Sequence, residues 1–156
     1  QLAHTASKQG LLCVEHIRSR ITGKAEEIHT LNYINIPRCT FTNPEIASVG
    51  YTEAEAKAAF GEIKVGKFPF AAIGKAMAMS ATQGFVKTIA RTDTGELVGM
   101  HIMGPQAAEL IAQGAILISQ QARAESIEDI VFAHPTLSEA IMESIEDLRN
   151  LSIHKI

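Results

Sequence analysis

A β-hairpin between residues 84 and 103 constrains the fold of this chain more than any other sequence feature. The segments 84–92 (GFVKTIART) and 97–103 (LVGMHIM) are rich in strand-forming residues. They are joined through Asp93-Thr94-Gly95, a loop of hairpin length whose glycine can adopt a positive φ. An antiparallel pair of strands is therefore predicted, and the other elements must pack around it.

Further strand patterns precede this hairpin. Residues 31–36 alternate in polarity before a proline, and residues 39–50 predict two strands with a turn at Thr42-Asn43-Pro44. Residues 63–70 predict a strand with a proline near its end, which places it at the edge of a sheet or marks the end of a strand. Residues 71–83 are small and Met-rich and fit neither a strand nor a helix pattern.

Helices are predicted from apolar periodicity. Residues 2–20 form an amphipathic pattern, and a second helix follows Gly104-Pro105. The second helix places these residues on one face: Ala107, Leu110, Ile111, Gly114, Leu117, Ile118 and Gln121. Because most of the helix follows the hairpin, we predict an α+β fold: an antiparallel sheet with helices packed on one side.

Helix starts are indicated by two capping-box patterns, Thr52-Glu53-Ala54-Glu55 and Thr136-Leu137-Ser138-Glu139. The first predicts a short helix to Phe60, and the second predicts the last helix, to about Arg149. Ser126 is predicted to begin a short turn that reaches Val131. Two X-Pro bonds at abrupt turns, Asn43-Pro44 and His134-Pro135, are predicted to be cis.

Composition excludes several classes of function. The chain has 14 Lys and Arg against 17 Asp and Glu, so it has no basic excess for binding nucleic acid. No apolar run approaches the roughly 18 residues that span a bilayer, so no membrane association is expected. A signal-peptide core is excluded by four charged residues among the first twenty: Lys8, Glu15, Arg18 and Arg20.

The cysteines and most histidines carry no recognisable motif. Cys13 and Cys39 match no redox or zinc spacing, which favours free thiols in a reducing compartment, the cytoplasm or an organelle matrix. His101 lies in an apolar strand and is expected to have a satisfied core or interface position. Three further histidines are expected to be exposed: His16, His29 and His154. No metal site is predicted, and the methionines are expected to fill core or interface space.

The segment around His134 carries the strongest sign of chemistry. His134 precedes a predicted helix start, and Glu139 follows five positions later. A carboxylate that bonds one ring nitrogen fixes the tautomer and leaves the other nitrogen to exchange protons. The spacing also fits a simpler interpretation, in which Glu139 only completes a capping box with Thr136. For the acid/base interpretation, we expect His134 at the surface, about 2.6–3.2 Å from the carboxylate.

Four ordered motifs together resemble the pyridine nucleotide-disulfide oxidoreductases that use a cysteine pair. They are Leu2–Ala6, Phe41–Glu53, Gly99–Gly104 followed by Ala108–Ile111, and His134–Glu139. The resemblance spans nearly the whole chain and implies the family's C-terminal dimerisation domain. Leu137 and Ala140 look closer to the lipoamide dehydrogenase branch than to the glutathione reductase branch.

The resemblance implies two parts. Residues 1–24 would be the terminal helix of a flavin-binding domain, and residues 31–156 the dimerisation domain. Residue 1 is Gln and opens directly into a helix, and the chain lacks both a Cys-x4-Cys pair and a G-x-G-x-x-G motif. We therefore expect a piece of a longer enzyme that uses FAD and NAD, and we expect this piece alone to bind neither and to be inactive.

Roles follow from the same resemblance, residue by residue. His134 would exchange a proton with the partner subunit's cysteine thiols and with dihydrolipoamide, and Glu139 would orient it. The carbonyl of His134, with Pro135, would approach the partner's flavin. Leu2, Ala3 and His4 would lie near the flavin of their own chain.

The partners that the resemblance implies are a second copy of the chain and the acyltransferase core of 2-oxoacid dehydrogenase complexes. The apolar character of the helix after residue 106 and of the last helix also favours self-association. Two alternatives remain open: the same domain of a glutathione reductase-like enzyme, and a dimerisation or docking module without chemistry.

Overall fold

The computed structural model describes residues 2–23 and 29–155 and divides the chain into two compact units, Gln1–Ile36 and Pro37–Ile156. The end of the predicted flavin-domain helix at residue 24 lies outside the described residues, so the domain boundaries stay a prediction. Each unit is described by itself.

The first unit contains helix α1, Ala3–Thr22, which confirms the amphipathic helix predicted from residue 2. Gly23 ends the helix in the left-handed conformation, with a φ of 63°. None of its residues is buried. A short 3-10 turn, Tyr33–Asn35, follows where the sequence alternates, and the Asn32 side chain caps it by accepting a hydrogen bond from the Ile34 N–H at 3.1 Å.

The second unit is built on a five-stranded antiparallel sheet. Its strands are β1 Arg38–Thr40, β2 Glu45–Gly50, β3 Ile63–Pro69, β4 Phe85–Arg91 and β5 Leu97–Gly104, in the spatial order β1-β2-β5-β4-β3. The predicted hairpin is confirmed as β4 and β5, and the predicted edge strand is β3. Both predicted cis peptide bonds, Asn43-Pro44 and His134-Pro135, are present.

The helices of this unit are α2 Glu53–Phe60, α3 Gly74–Ala78, α4 Ala107–Ser119, α5 Ala124–Ile127 and α6 Glu139–Asp147. Helix α4 packs on β2 and β5, and α6 packs on β3 and β4. The main core lies between these two helices and the sheet. It includes Val49, Phe68, Met100, Ile111 and Ile141. The predicted α+β class is confirmed.

The opposite face of the sheet is covered in part by α2. Ala56 on this helix packs with Ile89 and Val98 in a second, smaller core. The predicted capping box is confirmed, because Thr52 and Glu55 each bond the other's backbone N–H. Gly61 ends the helix as predicted, with a φ of 79°.

The predicted starts of two other elements, the short turn at Ser126 and the last helix, are wrong. Helix α5 begins at Ala124, and the Ser126 hydroxyl donates to the carbonyl of Arg123 at 2.7 Å. Helix α6 begins at Glu139 rather than after Thr136, whose hydroxyl donates to the carbonyl of Ala133 at 2.7 Å. In both cases the hydroxyl bonds a nearby carbonyl and is unavailable to cap a helix. Helix α6 also ends at Asp147, two residues before the predicted Arg149.

Strand β3 and helix α6 approach each other closely at Gly66. A Cβ atom on this glycine would lie 2.0 Å from the carbonyl oxygen of Ser144 and 2.9 Å from the backbone nitrogen of Leu148. Beside this contact, the Lys67 N–H donates to the Asp147 carboxylate at 2.8 Å. The absence of a side chain at residue 66 therefore fixes how closely α6 can lie on the sheet.

We expect Gly66→Ala to destabilise the chain by about 1–3 kcal/mol or more, because the atoms that a methyl group meets are backbone atoms. The matched control is Gly74→Ala, since a Cβ there meets nothing within 4 Å. The control is expected to be neutral or stabilising by up to about 1 kcal/mol. Denaturant unfolding measures both, and equal effects would contradict a contact specific to Gly66.

Candidate functional site

The site consists of His134 and Glu139, which lie at the start of α6. Nδ1 of His134 is 2.8 Å from Oε1 of Glu139. The other oxygen, Oε2, accepts a hydrogen bond from the Thr136 N–H, also at 2.8 Å. One carboxylate therefore orients the imidazole and also accepts from the backbone of Thr136. The full capping box is not formed, because the Thr136 hydroxyl donates to the carbonyl of Ala133.

The two side chains differ in exposure. The His134 side chain is 74% exposed, and that of Glu139 is 18% exposed. Both the surface position and the contact with Glu139 that the sequence predicts for His134 are confirmed. Because Nδ1 is engaged by the carboxylate, Nε2 is the ring nitrogen that can exchange a proton with another molecule.

The electrostatic surroundings keep Glu139 ionised. Burial acts to raise its pKa, but the hydrogen bonds from Thr136 and His134 and the nearby charges of His134 and His154 outweigh burial and lower the pKa below its usual range. A negative Glu139 in turn favours the tautomer of His134 that carries a proton on Nδ1.

Neighbouring elements hold the segment that carries the pair. Ser138 is the N-cap residue of α6, and its hydroxyl accepts a hydrogen bond from the Gln113 side chain of α4 at 2.8 Å. Leu137 and Ala140, on either side, are buried in the main core. Glu139 is thus fixed by elements on both sides, whereas the His134 ring depends on Glu139.

The residues that the resemblance assigns to cofactor contacts occur in both units. Leu2 precedes α1, and Ala3 and His4 begin that helix, all of them exposed. His134 and Pro135 belong to the second unit and are also exposed. These assignments stay predictions, and the acid/base pair is the part of the site whose geometry is described.

Sequence reasoning missed a second contact between a histidine and a carboxylate. Glu143, one turn after Glu139 in α6, has a side chain that is only 1% exposed. It accepts hydrogen bonds from the Ser152 hydroxyl at 2.6 Å and from Nδ1 of His154 at 2.5 Å. His154 is exposed, as predicted, but it is also paired. The sequence does show that Glu139, Glu143 and Asp147 are four residues apart. This spacing places three carboxylates on one helix face, which indicates that they need basic partners.

The remaining candidate residues are structural. The hydrogen-bonding capacity of His101 is satisfied as predicted, since its Nε2 lies 3.0 Å from the carbonyl oxygen of Tyr51.

Cys13 and Cys39 are free thiols. Burial, together with Glu45 and Glu109, raises the pKa of Cys39, which disfavours its reactive thiolate. Within residues 2–23 and 29–155, no group of three His, Cys, Asp or Glu could hold a metal ion.

Residues 36–145 match a family model described as the pyridine nucleotide-disulphide oxidoreductase dimerisation domain. The chain belongs to this family. Both His134 and Glu139 fall within the matched residues. Across the described parts of the chain, no helix has the length and apolar character needed to cross a membrane.

Similar proteins carry one recurrent name. The chain is 40% identical to dihydrolipoyl dehydrogenase of Zymomonas mobilis over 98% of its own length and 32% of that protein. It is 41% identical to mitochondrial dihydrolipoyl dehydrogenase of Pisum sativum, again over 98% of its length and 29% of the relative. The chain therefore spans about a third of the curated relatives it matches.

Solved structures agree with this classification. LpdA from Mycobacterium tuberculosis is similar with a TM-score of 0.75 and 25% identity, over 83% of this chain and 28% of that one. The HOCl-induced flavoprotein disulfide reductase of Escherichia coli has a TM-score of 0.73 and 26% identity, over 83% of this chain and 30% of that one. The fold is thus the one found in flavoprotein disulfide reductases.

We expect Glu139→Gln to destabilise the chain at pH 7 by up to about 1 kcal/mol, the usual net contribution of a hydrogen bond such as the one from the Thr136 N–H. Folding lowers the pKa of Glu139, so its carboxylate stabilises the fold above the unfolded-state pKa, about 4.3, and this contribution is lost as the pH falls through the lower folded-state pKa. The difference from the parent chain should therefore shrink towards pH 3.

Urea unfolding at several pH values between 3 and 7 measures this effect. Glu62→Gln is the control, because Glu62 is an exposed glutamate outside the site. The control is expected to change the free energy of unfolding by less than about 0.5 kcal/mol. A Glu139→Gln effect that stays constant down to pH 3 would show that its charge does not matter.

Proposed function

We propose that this chain is the dimerisation domain of a dihydrolipoyl dehydrogenase and supplies the acid/base pair His134 and Glu139 to a partner subunit. The observation that carries the proposal is the 2.8 Å contact between an exposed imidazole and a largely buried carboxylate at the start of α6. The names of the curated relatives support dihydrolipoamide as the substrate and favour this reaction over that of a glutathione reductase-like enzyme.

The chemistry that the pair performs in this proposal is proton transfer. Nε2 of His134 takes the proton of a thiol, which leaves a thiolate, the nucleophilic form of sulfur. The imidazolium that forms is stabilised by Glu139, whose carboxylate already bonds Nδ1. The thiolate attacks one sulfur of a disulfide, so that a new S–S bond forms as the old one breaks. Nε2 of His134 then returns the proton to the sulfur that leaves. The hydrogen bonds and nearby charges that lower the pKa of Glu139 favour its ionised form.

FAD and NAD are proposed as cofactors of the complete enzyme, where the flavin, when bound, would supply the electron transfer between thiols and nicotinamide. The residues of this chain fit contacts at the edge of a flavin, since Leu2, Ala3, His4, His134 and Pro135 are all exposed. The sequence offers no G-x-G-x-x-G turn to hold the phosphates. We therefore propose that this chain binds neither cofactor by itself and is inactive alone.

A homodimer is part of the proposal. An apolar surface groove beside the site is lined by Ile116 and Leu117 of α4 and by residues 130–133. Ile116 is 61% exposed and Val131 is 93% exposed. Apolar side chains concentrated in one groove favour a protein partner, and the match to a dimerisation family favours a second copy of the chain.

Two further proposals rest on the family resemblance. We propose that the complete enzyme binds the acyltransferase core of a 2-oxoacid dehydrogenase complex. We also propose that it works in the cytoplasm or in an organelle matrix, and the relative from Pisum sativum is a mitochondrial protein by name.

In the complete enzyme, His134→Gln is expected to slow oxidation of dihydrolipoamide by roughly 10²–10⁴-fold, the usual cost of losing a general base. Glu139→Gln should cost less, because His134 can still accept a proton without it. The measurement is steady-state kinetics with NAD as acceptor. His101→Gln is the control and should leave the rate within a few-fold. An unchanged rate in His134→Gln would refute the proposed role.

We expect Val131→Asp to weaken self-association, because it places a charge in the apolar groove. The control is Val65→Asp: Val65 is 38% exposed, and its neighbour Gly66 faces α6, so Val65 points to the other side of the sheet. Sedimentation measured over the micromolar range compares the two variants with the parent chain. If the parent is monomeric throughout, or if both variants dissociate equally, the groove is not the interface.

A further inference from the structure

The C-terminal segment 151–155 is attached to the helix that carries Glu139. Three acidic side chains lie four residues apart on one face of α6, namely Glu139, Glu143 and Asp147. Each has a basic partner. His134 pairs with Glu139, His154 with Glu143, and Lys155 with Asp147 at 2.6 Å. Two of the three partners therefore belong to the C-terminal segment.

The middle pair, Glu143 with His154, contains a buried carboxylate. The Glu143 side chain is 1% exposed, and burying a carboxylate is unfavourable unless it is paired and hydrogen-bonded. Its two oxygens are bonded by Ser152 and His154. The C-terminal segment thus neutralises a charge inside the fold, while the ring of His154 remains 63% exposed.

This pair lies close to the acid/base pair. Four residues of helix rise about 6 Å, so Glu143 is one turn from Glu139 on the same face. We propose that His154 is a positioning residue for the pair formed by His134 and Glu139: held on Glu143, its imidazole lies near Glu139 on α6 and can act on that carboxylate through its charge when it is protonated. In its catalytic consequence this inference rests on the proposed function.

The electrostatics of Glu139 support this proposal. Among the influences on its pKa, the charge of His154 lowers it, after the larger influences of burial, of the hydrogen bonds from Thr136 and His134, and of the His134 charge. The charge of His154 also acts on the pKa of Glu146. Burial, Glu143 and Glu128 raise its pKa, whereas His154 acts to lower it.

Several charged groups of neighbouring elements lie near His154. Helix α6 contributes Glu139, Glu143, Glu146 and Asp147, and α5 is followed by Glu128, which is paired with Arg149. The segment itself contributes Lys155, whose charge is paired with Asp147. His154 is therefore the imidazole next to Glu143 that adds positive charge there when it is protonated.

The test is a titration of the Glu139 carboxyl carbon by NMR in this chain and its variants. His154→Gln keeps an N–H donor for Glu143 but removes the charge, so the pKa of Glu139 should rise. Glu143→Gln removes a negative charge from the same position, so the pKa of Glu139 should fall. In the double variant the two shifts should largely cancel. Shifts of opposite sign are specific to an electrostatic role, because a loss of structure would move both variants in one direction.

Lys155→Gln is the matched control. It removes the same charge from the next residue, but its partner Asp147 lies two turns from Glu139. The shift of Glu139 in this control should be clearly smaller than in His154→Gln. Equal shifts in the two variants, or no shift in His154→Gln, would overturn the proposal. Should His154→Gln fail to fold, His154→Asn takes its place, because its side chain also offers an N–H donor without a charge, and an unshifted Glu139 in that variant would overturn the proposal.

The catalytic consequence is measured separately in the complete enzyme. His154→Gln should move the acidic limb of the profile of kcat/KM against pH to higher pH, and Lys155→Gln should leave it in place. The NMR result does not depend on catalysis. If His134→Gln retains full activity, the proposed function fails while the titration result stands. If His134→Gln is inactive but His154→Gln leaves Glu139 unchanged, the inference about His154 alone fails.

Discussion

The position of the site depends on how closely α6 packs against β3 and β4. Gly66 allows the backbones of β3 and α6 to meet, and a buried hydrogen bond joins the hydroxyls of Thr88 and Ser144 at 2.7 Å. Both hydroxyls are fully buried, so leaving either one unsatisfied would cost about 1–3 kcal/mol. This contact fixes the helix relative to the sheet, and Glu139 is the first residue of that helix.

The site is therefore built outward from the core. Leu137 and Ala140 anchor the start of α6 among buried side chains, Glu139 lies at the margin, and His134 lies in solvent. The imidazole is held by a hydrogen bond to Glu139 and remains accessible to a second molecule.

Local patterns explain what could be predicted from the sequence. The hairpin, the capping box at Thr52 and the contact between His134 and Glu139 each involve residues close together in the chain. Thr136 and Ser126 show the limit of such patterns, because a hydroxyl near a turn can bond a carbonyl instead of capping a helix. The pairing of Glu143 with His154 was missed because it depends on where the C-terminal segment lies in three dimensions.

The contact between His134 and Glu139 also bears on how a complete enzyme would assemble. A side chain that must be ordered when two proteins meet costs roughly 0.5–1.5 kcal/mol of binding free energy. Here both members of the pair belong to one chain, and the carboxylate is already bonded to the backbone of Thr136. The entropy of ordering the ring is therefore lost during folding, and subunits that associate around this site would meet a group that is already preorganised.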